Sequence, residues 1–174
     1  MAKNLLIVES PAKTRTLKKF LGRQYAVEAS LGHVRDLAKG KKNDIGIGPD
    51  YEPRYVVMED KKEVVKKLKQ AAKDAEMVYL APDPDREGEA IAWHIAEILN
   101  KDPESVRRVT FNEITKPAVL KALENTRDID YRKVDADLAR VLTFGTPGFE
   151  REFRSAMGTG FVESIRAKIL GGVR

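Results

Sequence analysis

The chain predicts an α/β fold built on an open, largely parallel sheet, and three observations lead there. Short apolar runs alternate with longer segments of helical periodicity. A helix-start signal, Ser10-Pro11, follows the first apolar run almost at once. Acidic residues stand just beyond two of the runs, at Glu9 and from Asp83 onward. Ligand crevices of such sheets lie outside the carboxyl ends of the strands, so these are the positions where a site is expected.

Each element has its own local signal. Asn4-Leu5-Leu6-Ile7-Val8 reads as a buried strand. Ser10 as N-cap and Pro11 at the first helical position start a helix over about 11–21, which Gly22 stops. A second strand is expected over 25–31. Between Ala38 and Pro53, Lys39, Lys41 and Lys42 lie among Gly40, Gly46 and Gly48, the composition of a loop insertion. Its Gly46-Ile47-Gly48 is a poor phosphate cradle, because no lysine-serine or lysine-threonine pair follows. A helix over about 60–74 turns Val64, Val65, Leu68 and Ala72 inward and leaves its lysines as a solvated face. A third strand, 77–81, leads through the acidic run into a helix over 88–99, with Ile91, Ile95 and Ile98 inward and Trp93 packing beside them. Strand 106–111 and helix 116–124 complete the pattern, and residues 134–142 read as a further helix.

Composition narrows the class. With 174 residues and 42% hydrophobic residues, the chain can bury a real core. No cysteine is present, which excludes a disulfide framework, a thiolate metal site and zinc fingers. No apolar run approaches membrane-spanning length, so the expectation is a cytoplasmic protein with no membrane partner. Thirty-two lysines and arginines against 27 acidic residues give a net charge of +5, a mild bias toward a polyanionic partner such as nucleic acid.

Asp83-Pro84-Asp85-Arg86-Glu87-Gly88-Glu89 places four carboxylates within seven residues. In an extended segment alternate side chains share a side, so Asp83 and Asp85 project together, and Glu87 and Glu89 continue the rim into the helix. Carboxylates this close repel one another and attract hard divalent cations, of which magnesium is the first expectation. A solvated acidic turn capping a helix N-terminus accounts for the same residues without a metal. Glu9, at the tip of another strand, favours the first account, because two acidic strand ends can converge on one site.

Val8-Glu9-Ser10-Pro11-Ala12-Lys13 together with Asp83-Pro84-Asp85-Arg86-Glu87-Gly88-Glu89-Ala90-Ile91-Ala92-Trp93-His94 resembles the Toprim domain of bacterial type IA DNA topoisomerases. Ser30-Leu31-Gly32-His33-Val34-Arg35-Asp36-Leu37 and Phe111-Asn112-Glu113-Ile114-Thr115 resemble further segments of that family, in the expected order, and the likeness covers about residues 3–140. The resemblance implies a Toprim, Rossmann-like sheet with helices on both faces. It also implies a Toprim domain over residues 1–130 and a tail over 131–174 that is family-like only to about residue 142. Ala139-Arg140-Val141-Leu142-Thr143 lacks the second arginine and the aspartate of the family's helix, and residues 150–174 depart from it clearly.

By the same resemblance Glu9 is the general acid/base at the 3′-hydroxyl. Asp83, Asp85 and Glu87 are the Mg2+ ligands, and Lys13, His33 and Arg86 contact DNA or its phosphates. From position alone, Glu89, a half-turn into the helix beyond Glu87, is expected as a supporting or solvent-facing group rather than a direct ligand, and Glu113, at a strand end, as a support of the site. Pro82 replaces a usual serine or threonine, which removes a hydroxyl and an N–H before Asp83. The family cuts one DNA strand by attack of a tyrosine, passes the other strand and reseals, inside bacterial cytoplasm at the nucleoid. Its partners are DNA and the remaining topoisomerase domains. That tyrosine belongs to a domain far downstream, whereas Tyr25, Tyr51, Tyr55, Tyr79 and Tyr131 have structural readings, so the chain by itself is expected to be inactive. Two alternatives are a free-standing metal-dependent Toprim nuclease and a non-catalytic nucleic-acid-binding module.

Overall fold

The structure is a computed structural model and describes residues 3–38, 46, 53–135 and 137. The loop expected between Ala38 and Pro53 falls outside these residues except at Ala38, Gly46 and Pro53. The tail beyond 137 and Tyr51 also lie outside them.

Strand β1 (Asn4–Val8) has Leu5, Leu6, Ile7 and Val8 all fully buried, because it is covered on both faces. The pleat sends Leu5 and Ile7 to one side, where they pack with Val65, Leu68 and Ala72 of α2 (Lys62–Lys73) and with Ile91, Ala92, Ile95 and Ile98 of α3 (Arg86–Leu99). Leu6 and Val8 face the other side, against Leu17 of α1 (Pro11–Phe20) and Val119 and Ala122 of α4 (Lys116–Glu124). Helices therefore cover both faces of the sheet, as expected from sequence.

β1 pairs in parallel with β2 (Tyr25–Ala29) on one side and β5 (Met77–Leu80) on the other, and β5 pairs in parallel with β6 (Val106–Arg108). The order β2-β1-β5-β6 means that the chain leaves β1 in one direction and later returns to its opposite flank. The carboxyl ends of β1 and β5 thus form the switch point of a doubly wound sheet.

Helix and strand ends shift by a few residues from the sequence reading at several places, and three of the shifts bear on the site. β2 ends at Ala29 rather than residue 31, where Ser30 N–H donates to Val8 O and the chain turns through Leu31 and Gly32 at positive φ. β6 ends at Arg108 rather than residue 111. Helix α3 begins two residues earlier than expected because Asp85 caps it, its carboxylate accepting from Gly88 N–H at 2.7 Å. A second, antiparallel pair was not expected: β3 (Arg35–Leu37) lies on β4 (Tyr55–Val57), two strands of three residues each, too short to show a period.

Candidate functional site

Glu9 leaves the tip of β1 and Asp83 lies just beyond β5. The neighbouring strands bring these residues together across 74 positions of sequence, with Asp83 N–H 3.5 Å from Glu9 Oε2. Ser10 caps α1, accepting from Lys13 N–H at 3.4 Å, and this cap sets Lys13 on the first helical turn. From there the Lys13 ammonium reaches between the two acids and donates to Glu9 Oε1 and to Asp83 Oδ1. The lysine bond holds the Asp83 carboxyl below its ordinary range, outweighing the opposing effect of burial. For Lys13, burial pulls the pKa down, but the bonds to Asp83 and Glu9 prevail and it is raised.

The other expected residues extend the rim. Asp85 is exposed but bound to its cap, Glu87 is exposed with Oε1 3.8 Å from His33 Nδ1, and Arg86 is exposed at the start of α3. Glu113 is exposed and accepts from Thr115 Oγ1 at 2.9 Å. Among the described residues no three His, Asp or Glu side chains are already grouped as a metal cage. The cation between Glu9 and Asp83 is Lys13.

Beneath the rim lies a cluster that sequence reasoning missed. Glu89 and Arg108 are both fully buried, with Arg108 Nε donating to Glu89 Oε2 at 3.1 Å. Arg127 adds two bonds to the same carboxylate, at 2.7 and 2.8 Å, and Asp130 N–H adds another at 2.8 Å. Burial pushes the Glu89 pKa up, but these bonds, with Arg127 foremost, overcome it and hold it at about 2. Arg108 then spends its remaining donors on main chain: Nη1 to the carbonyls of Leu80, Pro82 and Val109, and Nη2 to that of Asp83. The support that Pro82 was expected to remove is thus supplied by an arginine gripping the Pro82 carbonyl. The available signal was an arginine two residues after Val106, on the same side of a strand of a sheet covered on both faces. Gly88 packs closely on the same loop, where a Cβ would clash with the Asp83 main chain.

Behind His33, Arg35 Nε donates to His94 Nδ1 at 3.0 Å and its guanidinium lies over Tyr55 and Trp93, at 5.3 and 5.0 Å from the ring centroids. Burial first, then Arg35 and His33, press the His94 pKa down to about 3, while burial raises Tyr55 to about 12. His94 is therefore a neutral acceptor within the packing and takes no part in the acidic rim. No described helix is long and apolar enough to cross a membrane.

A family model described as the Toprim domain matches residues 4–114. The structure of full-length topoisomerase I from Thermotoga maritima superposes with a TM-score of 0.69 at 47% identity, over 78% of this chain and 23% of that one. The DnaG catalytic core aligns with a TM-score of 0.40 at 14% identity, over 96% of this chain and 51% of that one. The chain spans about a quarter of the length of the topoisomerase it matches.

Proposed function

The chain belongs to the Toprim domain family, and from that premise we propose that it is the acid- and magnesium-binding half-site of a type IA DNA topoisomerase. The single observation that carries this reading is the meeting of Glu9 and Asp83 at the β1/β5 switch point with Lys13 between them. The 47% identity to a topoisomerase I supports it.

The donor set fits a hard divalent cation. Asp83, Asp85 and Glu87 offer only carboxylate oxygens, and the Asp83 and Glu87 side chains are 50% and 56% exposed, open to a hydrated ion. When bound there, Mg2+ would supply positive charge against a phosphate oxygen. Glu9 holds or releases the proton of the 3′-hydroxyl as a DNA strand is cut and rejoined, work for which a positioned carboxyl contributes roughly 10²–10⁴-fold. Lys13, freed from its carboxylates, meets a phosphate oxygen beside the α1 N-terminus. His33 and Arg86 flank the path of the DNA. The nucleophilic tyrosine, strand passage and the remaining domains belong to the rest of the enzyme, acting on DNA in bacterial cytoplasm. In this reading residues 1–130 form the Toprim domain and 131–174 a separate tail.

The test is negatively supercoiled plasmid incubated with the chain and Mg2+, then denatured to trap protein-linked strands. The expected outcome is weak, salt-sensitive DNA binding with neither relaxation nor adduct. A trapped adduct lost on changing one of the chain's tyrosines to phenylalanine would overturn the half-site reading, and free cleaved ends without adduct would make the chain a nuclease.

A further inference from the structure

The cation reading depends on where Asp83 stands, and its backbone is held chiefly by one buried guanidinium. Arg108 binds the carbonyls of Leu80, Pro82 and Asp83 at 3.0, 2.9 and 2.6 Å, three acceptors within four consecutive residues. This dictates the path of the chain from the end of β5 into the acidic rim. The fork is oriented by Glu89, and Glu89 is in turn held by Arg127 and by Asp130 N–H. Arg127 also exchanges two main-chain bonds with Arg108, so the segment 127–130 is laid along the β6 edge.

We propose that Arg108 is a positioning residue for Asp83 and that Arg127 sets its grip through Glu89. The affinity of the acidic rim for a divalent cation then depends on how the 127–130 segment is seated. This deepens the half-site reading and rests on it. The physical reason is geometric: a planar fork with five donors fixes several carbonyls at once, which a lysine ammonium on a flexible stem does not. A helix follows directly at residues 131–135, so whatever pulls on that helix acts on the segment that holds Arg108.

The experiment measures Mn2+ affinity by titration on the folded 174-residue chain, well below its melting temperature, beside metal-free thermal melts. Arg127→Met removes the partly exposed arm of the cluster and Arg108→Lys keeps the charge but loses the fork, while Asp83→Asn controls the site itself. Groups supporting a metal ligand are typically worth ten- to a hundredfold in affinity, so Arg127→Met is expected to weaken Mn2+ by about tenfold and Arg108→Lys by at least as much. A merely structural role predicts a lower melting temperature with unchanged affinity, and that result in Arg127→Met overturns the inference. If Arg108→Lys does not fold, Arg127→Met decides alone. Failure of the unmodified chain to bind Mn2+, or binding indifferent to Asp83→Asn, sinks the cation reading instead, so the two failures are distinguishable.

Discussion

Glu87 and Glu89 stand two residues apart on the first turn of α3 and have opposite fates. The Glu87 side chain is 56% exposed beside His33, whereas Glu89 is fully buried between two arginines. A helix turns about 100° per residue, so positions two apart point to nearly opposite sides. The acidic run therefore divides into an outer rim open to solvent and an inner brace, in which the Glu89 partner Arg108 binds the main chain at Leu80, Pro82 and Asp83. Charge in the rim is cheap because water screens it. Charge in the brace is tolerable only because every carboxylate oxygen is bonded.

The largest effect should separate these two glutamates. Glu89→Gln leaves Arg108 buried without its counter-charge, and breaking a buried pair in this way typically destabilises by about 3–5 kcal/mol. Glu87→Gln should change metal-free stability by less than about 0.5 kcal/mol. Urea denaturation of both variants checks the contrast, and comparable losses would mean that the rim is as structural as the brace.

Acid should then attack the interior in two stages. His94 titrates near 3 in the folded chain against an ordinary 6.5, so the unfolded chain takes up the proton first and stability begins to fall below about pH 6.5. Glu89 titrates near 2 against an ordinary 4.5, so its contribution is complete above about pH 4.5 and is lost as pH falls toward 2. Each stage has a limiting slope of about 1.4 kcal/mol per pH unit. His94→Gln, which keeps an acceptor for Arg35, should flatten stability between pH 6.5 and 4.5 and leave the lower stage intact.

Gly88→Ala probes the seam between rim and brace. Its methyl group meets the Asp83 main chain, and overpacking of this kind typically destabilises by about 1–3 kcal/mol. Because the displaced atoms carry Asp83, the variant should also lose much of its Mg2+-induced rise in melting temperature, which differential scanning fluorimetry reads directly.

A smaller effect than that of Gly88→Ala belongs to Lys13 in the rim. Lys13→Gln removes the ammonium between Glu9 and Asp83 and should lower metal-free stability by about 1 kcal/mol or less, since the Asp83 partner is half exposed. With no ammonium to displace, the Mg2+-induced rise in melting temperature should exceed that of the unmodified chain. An unchanged rise would separate the magnesium position from the gap that Lys13 fills.

Much of this molecule was legible from local pattern. The continuous apolar run Leu5 to Val8 announces a strand covered on both faces, and the Ser10-Pro11 cap announces α1, because burial periods and caps act over only a few residues. Glu9 and the acidic run could be placed at strand ends for the same reason, and the parallel α/β class followed from their alternation with helices. Tertiary structure decided the rest. Strand order seats β1 beside β5, so that Glu9 meets Asp83 and the Lys13 ammonium lies between them. Folding also paired β3 with β4, drew Glu89 out of the acidic rim and gave it Arg108 and Arg127 as partners. Hydrogen bonds between strands and the pairing of buried charges join residues distant in sequence, and a buried arginine is stable only once its distant partners have arrived.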